Sequence, residues 1–151
     1  MREELELIFD PLPPDDLALF VEEAVVTYTS CLTRSPAWHP VNFFLRGHRG
    51  EWMCGCLGYI WGGWLHIRWL WVHEALRGQG QGHRLLSEAE AMAAERGAIG
   101  ATLETHNPPA LAFYQRGGYA VFGTLENYPP GFTKYFLRKS LDKPLGGTSS
   151  P

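Results

Sequence analysis

Three cysteines in 151 residues are too few, and odd in number, for a disulfide framework, and positions 31, 54 and 56 lack the spacing of a zinc site. Cys54 and Cys56 alternate inside an apolar, strand-like run, so buried, reduced thiols are expected. His39, His48, His73 and His106 show no metal-ligand spacing, and no metal is expected. No run of eighteen or more apolar residues occurs, which argues against a membrane-spanning helix. Nor does an apolar stretch of signal-peptide length follow Met1-Arg2-Glu3-Glu4, so the expected location is the cytoplasm. Clustered positive charge is missing too. A net charge of -3 with scattered Lys and Arg gives no long-range attraction to nucleic acid or to an anionic membrane, and any anion site must be local.

What is present is the composition of a folded chain: 45% apolar and 19% charged residues leave little room for extended disorder. No internal repeat or linker interrupts residues 3–141, and the length suits one domain. We therefore expect a single domain over 1–141 and a disordered tail, rich in Gly and Ser, over 142–151.

The periodicity predicts a short strand at Leu5–Phe9 and a helix over about 17–28 with Leu17, Phe20, Val21, Ala24, Val25 and Tyr28 on its apolar face. Strands follow at 41–45, 52–60 and 65–72, separated by glycine turns, as an antiparallel meander. A helix begins after Gly82 and stops at Gly97, and a strand covers 99–104. Asn107-Pro108-Pro109 starts a short helix that Gly117-Gly118 ends, and two more strands lie at 119–123 and 132–141. This order implies an α/β sandwich around a mixed, mostly antiparallel sheet of six to seven strands.

The segment richest in chemical information is Arg77-Gly78-Gln79-Gly80-Gln81-Gly82, between a predicted strand and a predicted helix. Alternating glycines let the backbone turn tightly and aim successive N–H groups at one spot, to which the helix adds its own free N–H groups and positive dipole end. That arrangement suits a phosphate. A free helix N-terminus favours carboxylates, yet Arg77, His83 and Arg84 surround this one and the first acidic residue is Glu88. The chain lacks the Gly-Lys-Ser/Thr of a nucleoside triphosphate loop, and neither Gly78 nor Gly80 has the glycine five residues on that a dinucleotide fingerprint needs.

Residues 77–82 do fit Arg/Gln-x-x-Gly-x-Gly/Ala, and with Leu-Trp-Val-His before and His-Arg-Leu-Leu after, the segment resembles the coenzyme A pyrophosphate loop of the GNAT superfamily of N-acetyltransferases. A second stretch, Asn107-Pro-Pro-Ala110 through Phe113-Tyr114 to Gly117-Gly118-Tyr119, is similar to the family's Asn-x-x-Ala-x-x-x-Tyr…Gly-Phe/Tyr element. The ending from Gly123 to Lys139 resembles the closing strands of an uncharacterised bacterial branch of that family. The resemblance implies acetyl-CoA as acyl donor, with Gly78, Gln79, Gly80, Gln81, Gly82 and His83 offering backbone amides to the diphosphate. It also implies that Arg77 and Asn107 flank the cofactor and that the backbone of Leu70, Trp71 and Val72 pairs with the pantetheine arm.

Acetyl transfer needs a neutral amine, donors for the oxyanion and a proton for the departing thiolate. An alkylamine near ~10.4 is mostly protonated at neutral pH, a cost of about 4 to 5 kcal/mol, so deprotonating it is the more demanding step. Tyr114, seven residues after Asn107 and so two turns along one helix face, is the candidate acid, the role the resemblance also gives it. A packing role beside Phe113 is the other reading. For the base, strict alternation puts Leu65, Ile67, Trp69 and Trp71 on one apolar face and His66 and Arg68 on the other, towards the cleft. His66 matches the position of a histidine in serotonin N-acetyltransferase, eleven residues before the loop arginine. Glu104 is the rival: in ribosomal-protein alanine acetyltransferases a glutamate stands where this chain has Thr102, and Glu104 lies two residues on, on the same strand face. A water chain without a single base is the third possibility.

The acceptor is expected to be a small-molecule or peptide amine. Trp38, Trp64 and the Tyr128-Pro-Pro-Gly turn are candidate pocket walls, whereas Trp69 and Trp71 are expected in the core. Two other readings stay open: a non-catalytic, CoA-binding regulatory module, and a partner-binding domain whose glycines serve only the turn. Edge strands could also join two chains in a homodimer.

Overall fold

The computed structural model describes residues 5–35 and 38–141 and divides into two units, residues 1–36 and 37–151. The Gly- and Ser-rich tail from residue 142 lies outside the described residues. In the first unit a single helix, α1, runs Asp15–Thr33, opening on Asp15 and Asp16 and closing on Arg34 in the left-handed conformation (φ 53°). It is longer than the periodicity predicts and stops three residues short of Pro36, because a proline bars helical geometry from the residue before it. The expected strand at Leu5–Phe9 does not form, since residues 5–10 have no regular secondary structure. An apolar run supplies side chains for a strand but not the neighbouring ladder of hydrogen bonds that completes one. Cys31 on α1 is exposed, whereas Cys54 and Cys56 are buried free thiols as expected.

The second unit contains β1 (His39–Arg46), β2 (Trp52–Trp61), β3 (Trp64–Val72), a 3-10 turn (Glu74–Leu76), α2 (Gln81–Glu95), β4 (Gly100–Thr105), α3 (Pro108–Arg116), β5 (Ala120–Glu126) and β6 (Thr133–Ser140). The six strands form one sheet in the order β1-β2-β3-β4-β6-β5, with β1 and β5 at its edges. Only β3 and β4 run parallel; the other neighbours are antiparallel. Val41, Cys54, Cys56, Leu65 and Leu137 from the strands are fully buried together with Leu86 of α2. Leu85, Ala89 and Ala93 complete the buried stripe of α2, and Gly97 (φ 84°) follows the helix end as the glycine spacing predicts.

The strict alternation expected of β3 breaks at one residue. Pairing passes from Leu57↔Trp69 to Gly58↔Ile67, so Arg68 is an extra residue in β3, a β-bulge. Ahead of it Leu65 and Ile67 face the core. After it the pleat is reversed: Trp69 and Trp71 are 67% and 48% exposed, while Leu70 and Val72 pack against the core. Trp69 and Trp71 are therefore not core residues, and they do not share a face with Leu65 and Ile67.

The bulge also coincides with a parting of strands. β3 and β4 pair only over Trp64–His66 and Gly100–Thr102, and beyond those residues the β3 backbone has no β4 partner. Gly58 makes room for this path, since a Cβ there would meet the His66 carbonyl oxygen at 2.5 Å. Gly58→Ala is expected to lower unfolding stability by about 1–3 kcal/mol, as overpacking against backbone does, measured by urea denaturation.

Candidate active site

The loop after β3 has the conformation its glycines were expected to allow. Gly78 (φ 71°) and Gly80 (φ 79°) are left-handed, and Gly80 is the N-cap of α2. Gly82 has a different reason: a Cβ there would lie 3.4 Å from both Val72 and Phe113, so the end of β3, the start of α2 and α3 meet where this side chain is missing. Arg77 Nε donates to the Val72 carbonyl (3.2 Å) and Gln79 Nε2 to that of Ala75 (2.8 Å), tying the loop back onto the strand end. Among the described residues, the N–H groups of Gly78 to His83 have no backbone acceptor, and the first turn of α2 has neither a side-chain cap nor an acidic residue. The Gln81 side-chain oxygen is likewise buried there without a partner. Six free amides at a positive helix end are chemically suited to an anion.

Asn107 caps α3, its side-chain oxygen accepting from the Ala110 N–H (3.4 Å) ahead of Pro108 and Pro109. The helix carries Tyr114 into the core, one residue after the Phe113 that borders Gly82. Burial, with Cys56 adding to it, pushes the Tyr114 phenol up to about 12, so the proton is held at neutral pH. Its ring is edge-packed on Tyr119 at 5.8 Å. Tyr119 in turn donates to Glu90 Oε1 (2.9 Å), and Lys139 Nζ donates to Glu90 Oε2 (2.6 Å), giving a buried carboxylate on α2 both a phenol and a cation. Tyr119 is pushed upward by its own burial first and by Glu90 second. No local pattern marks this trio, because Glu90 stands among helical residues of ordinary polarity and its partners lie 29 and 49 residues away.

His66 alternates with the buried Leu65 and Ile67 and so projects from the other face of the sheet. Its imidazole stacks on Tyr59 (4.8 Å between centroids, 9° between planes), on whose ring Trp38 rests edge-on. Burial holds His66 below its ordinary value near 6.5, with the Trp61 backbone acting in the opposite sense, and the neutral base is favoured. It lines an open cavity of about 310 Å³ with Trp61, Trp64, Thr102, Phe122 and Arg138. Trp64 was foreseen as a wall; Trp61, Phe122 and Arg138 were not. Alternation from Tyr59 points to Trp61, but Phe122 and Arg138 reach the cavity only through the pairing of β4, β6 and β5, which no local pattern reveals.

Glu104 shares that face of β4, yet it does not line the cavity, and its carboxylate is paired with Lys134. Thr102 Oγ1 donates to the Leu137 carbonyl (3.0 Å). The structure thus brings His66 and Thr102 to one cavity, groups Tyr114 with the core beside the loop, and leaves Glu104 in an ion pair. Leu70, Trp71 and Val72 occupy the β3 segment beyond the last β4 pairing.

Known proteins are similar to this chain in sequence and in fold. Residues 13–119 match the acetyltransferase (GNAT) family, a match that runs across both units. Over 96 residues, 63% of this chain and 71% of the relative, the sequence is 45% identical to the blasticidin-S acetyltransferase of Streptomyces morookaense. It is 33% identical over 119 residues, 79% of this chain and 87% of the relative, to an acetyltransferase of Agrobacterium fabrum strain C58. A crystal structure from Agrobacterium tumefaciens described as an acetyltransferase superposes with a TM-score of 0.85 at 29% identity, covering 90% of this chain and 99% of that one.

The Glu90 trio should be a fixed point of the fold. Glu90→Ala strands the Lys139 ammonium and the Tyr119 hydroxyl and is expected to cost about 3–5 kcal/mol, read as a lowered urea midpoint. An unchanged midpoint would show the trio to be dispensable.

Proposed function

The chain belongs to the acetyltransferase (GNAT) family and is an acyltransferase, and on that premise we propose that it transfers the acetyl group of acetyl-CoA to a primary amine of a small-molecule acceptor by direct attack. The observation that carries the donor assignment is the cradle of unpaired amides from Gly78 to His83, set against the end of β3. Acetyl-CoA is the donor used by acetyltransferases of this family, and its diphosphate would fill that cradle. The family match through residues 13–119 supports reading 1–141 as one acetyltransferase domain.

In the reaction the amine nitrogen attacks the thioester carbonyl, the oxyanion collapses, the C–S bond breaks and coenzyme A leaves as a thiol. His66, held neutral, accepts a proton from the amine on one face of the sheet. Tyr114, held protonated on the other face, gives its proton to the departing sulfur as general acid. The two residues need not touch, because the opening between β3 and β4 beyond His66 lets donor and acceptor meet through the sheet. Backbone N–H groups of β3 on the side that has no β4 partner there are suited to steady the oxyanion. The pairing of Glu104 with Lys134 favours His66 over Glu104 as base. The blasticidin-S activity of the relative supports a small-molecule amine over a protein terminus.

A thiol-release assay with acetyl-CoA against an amine panel that includes blasticidin S tests the reading: thiol must appear with an amine present and not without it. Binding of CoA with no release on any amine would instead favour a non-catalytic module. Tyr114→Phe is expected to lower kcat by about 10²–10⁴-fold with CoA affinity nearly unchanged, the usual range for loss of a positioned acid. Wild-type kcat/KM should fall as pH drops through a value below 6.5, where His66 takes up a proton, and His66→Ala should lose that acidic limb. A limb retained in His66→Ala would remove the histidine from the mechanism.

A further inference from the structure

Arg138 is the only permanently charged side chain lining the cavity that holds His66. Its guanidinium carbon lies 5.8 Å from the Phe122 ring centroid, a distance at which the ring steadies the cation. Among the described residues it has no carboxylate partner, since the two ion pairs join Lys134 to Glu104 and Lys139 to Glu90. Its strand-pair neighbour on β4, Thr102, directs its hydroxyl to the Leu137 carbonyl. The next acidic group along the same face, Glu104, is already neutralised by Lys134. The cavity therefore combines a neutral imidazole, three aromatic walls and one solvent-exposed guanidinium with no carboxylate partner among the described residues.

A cavity with this charge disfavours a simple ammonium, which Arg138 would repel. An acceptor that also carries a carboxylate meets the opposite situation, because the planar guanidinium fork matches a carboxylate in two parallel hydrogen bonds and the rings take up an apolar frame. Resting on the reading of the cavity as the acceptor site, we propose that Arg138 selects amines that bear a carboxylate on an aromatic or similarly flat frame. Arg138 sets the specificity, and the proton transfer stays with His66.

Two measurements on the full chain test this. In the first, phenylacetate and phenylacetamide, which share one frame and differ in whether the terminal group is charged, are titrated by NMR into wild type, Arg138→Gln and Arg138→Lys. Wild type is expected to bind the carboxylate at least ten-fold more tightly, Arg138→Gln to lose that preference with phenylacetamide binding unchanged, and Arg138→Lys to keep part of it. Equal binding of both probes by wild type, or an equal loss of both in Arg138→Gln, would overturn the proposal and leave Arg138 as a surface partner of Phe122. In the second, thiol release is followed with phenylalanine and with phenylalanine amide. Turnover of both alike overturns the carboxylate specificity while acetyl transfer stands. Absence of turnover with every amine tried, with the phenylacetate preference intact, overturns instead the acceptor-site reading on which the proposal rests.

Discussion

A strand with one more residue than its neighbour must place that residue somewhere, and in β3 the surplus falls on Arg68. The bulge reverses the pleat, so the residues before it and after it turn opposite faces to the core. It lies two residues past the last pairing between β3 and β4, next to Gly58, where a Cβ would collide with the His66 carbonyl. Had β3 kept strict alternation, Trp69 and Trp71 would press into the core in place of Leu70 and Val72. The exposure of Trp69 and Trp71 and the inward turn of Leu70 and Val72 follow from that one inserted residue.

The second unit organises its remaining parts around α2. The helix meets β3 and α3 at Gly82, where the lack of a side chain lets three elements converge. Its N-terminal end carries the equivalent of about half a positive charge and no side chain that offsets it. Two turns further on, Glu90 ties the same helix to Tyr119 and Lys139, and Tyr119 packs on Tyr114. A shift of α2 would therefore be felt both by the free amides at its N-terminus and, through Tyr119, by the Tyr114 ring.

Some of this was legible in the residues. Alternating glycines between an apolar strand and an amphipathic helix specify the loop, and Asn107-Pro108-Pro109 with Gly117-Gly118 specify α3, because caps and left-handed turns depend on a few adjacent residues. What escaped depends on distant partners. Strand periodicity assumes one residue per pleat, so Trp69 and Trp71 were assigned to the wrong face. Leu5–Phe9 has the apolar character of a strand without a ladder to join. Arg138, Phe122 and the Glu90 trio acquire their neighbours only when β4, β6 and β5 align, and nothing within a ten-residue window encodes that register.

The buried thiols of β2 have a bearing on a site built to handle thioesters. A thiolate exchanges readily with an acyl thioester, and a protein exposing one risks acylating itself. Cys54 and Cys56 are sealed in the core, and burial, with Glu90 second, pushes Cys56 up to about 11. At neutral pH the Cys56 thiol therefore keeps its proton. The same packing that fills the sheet interior thus keeps the protein from becoming its own substrate at that position.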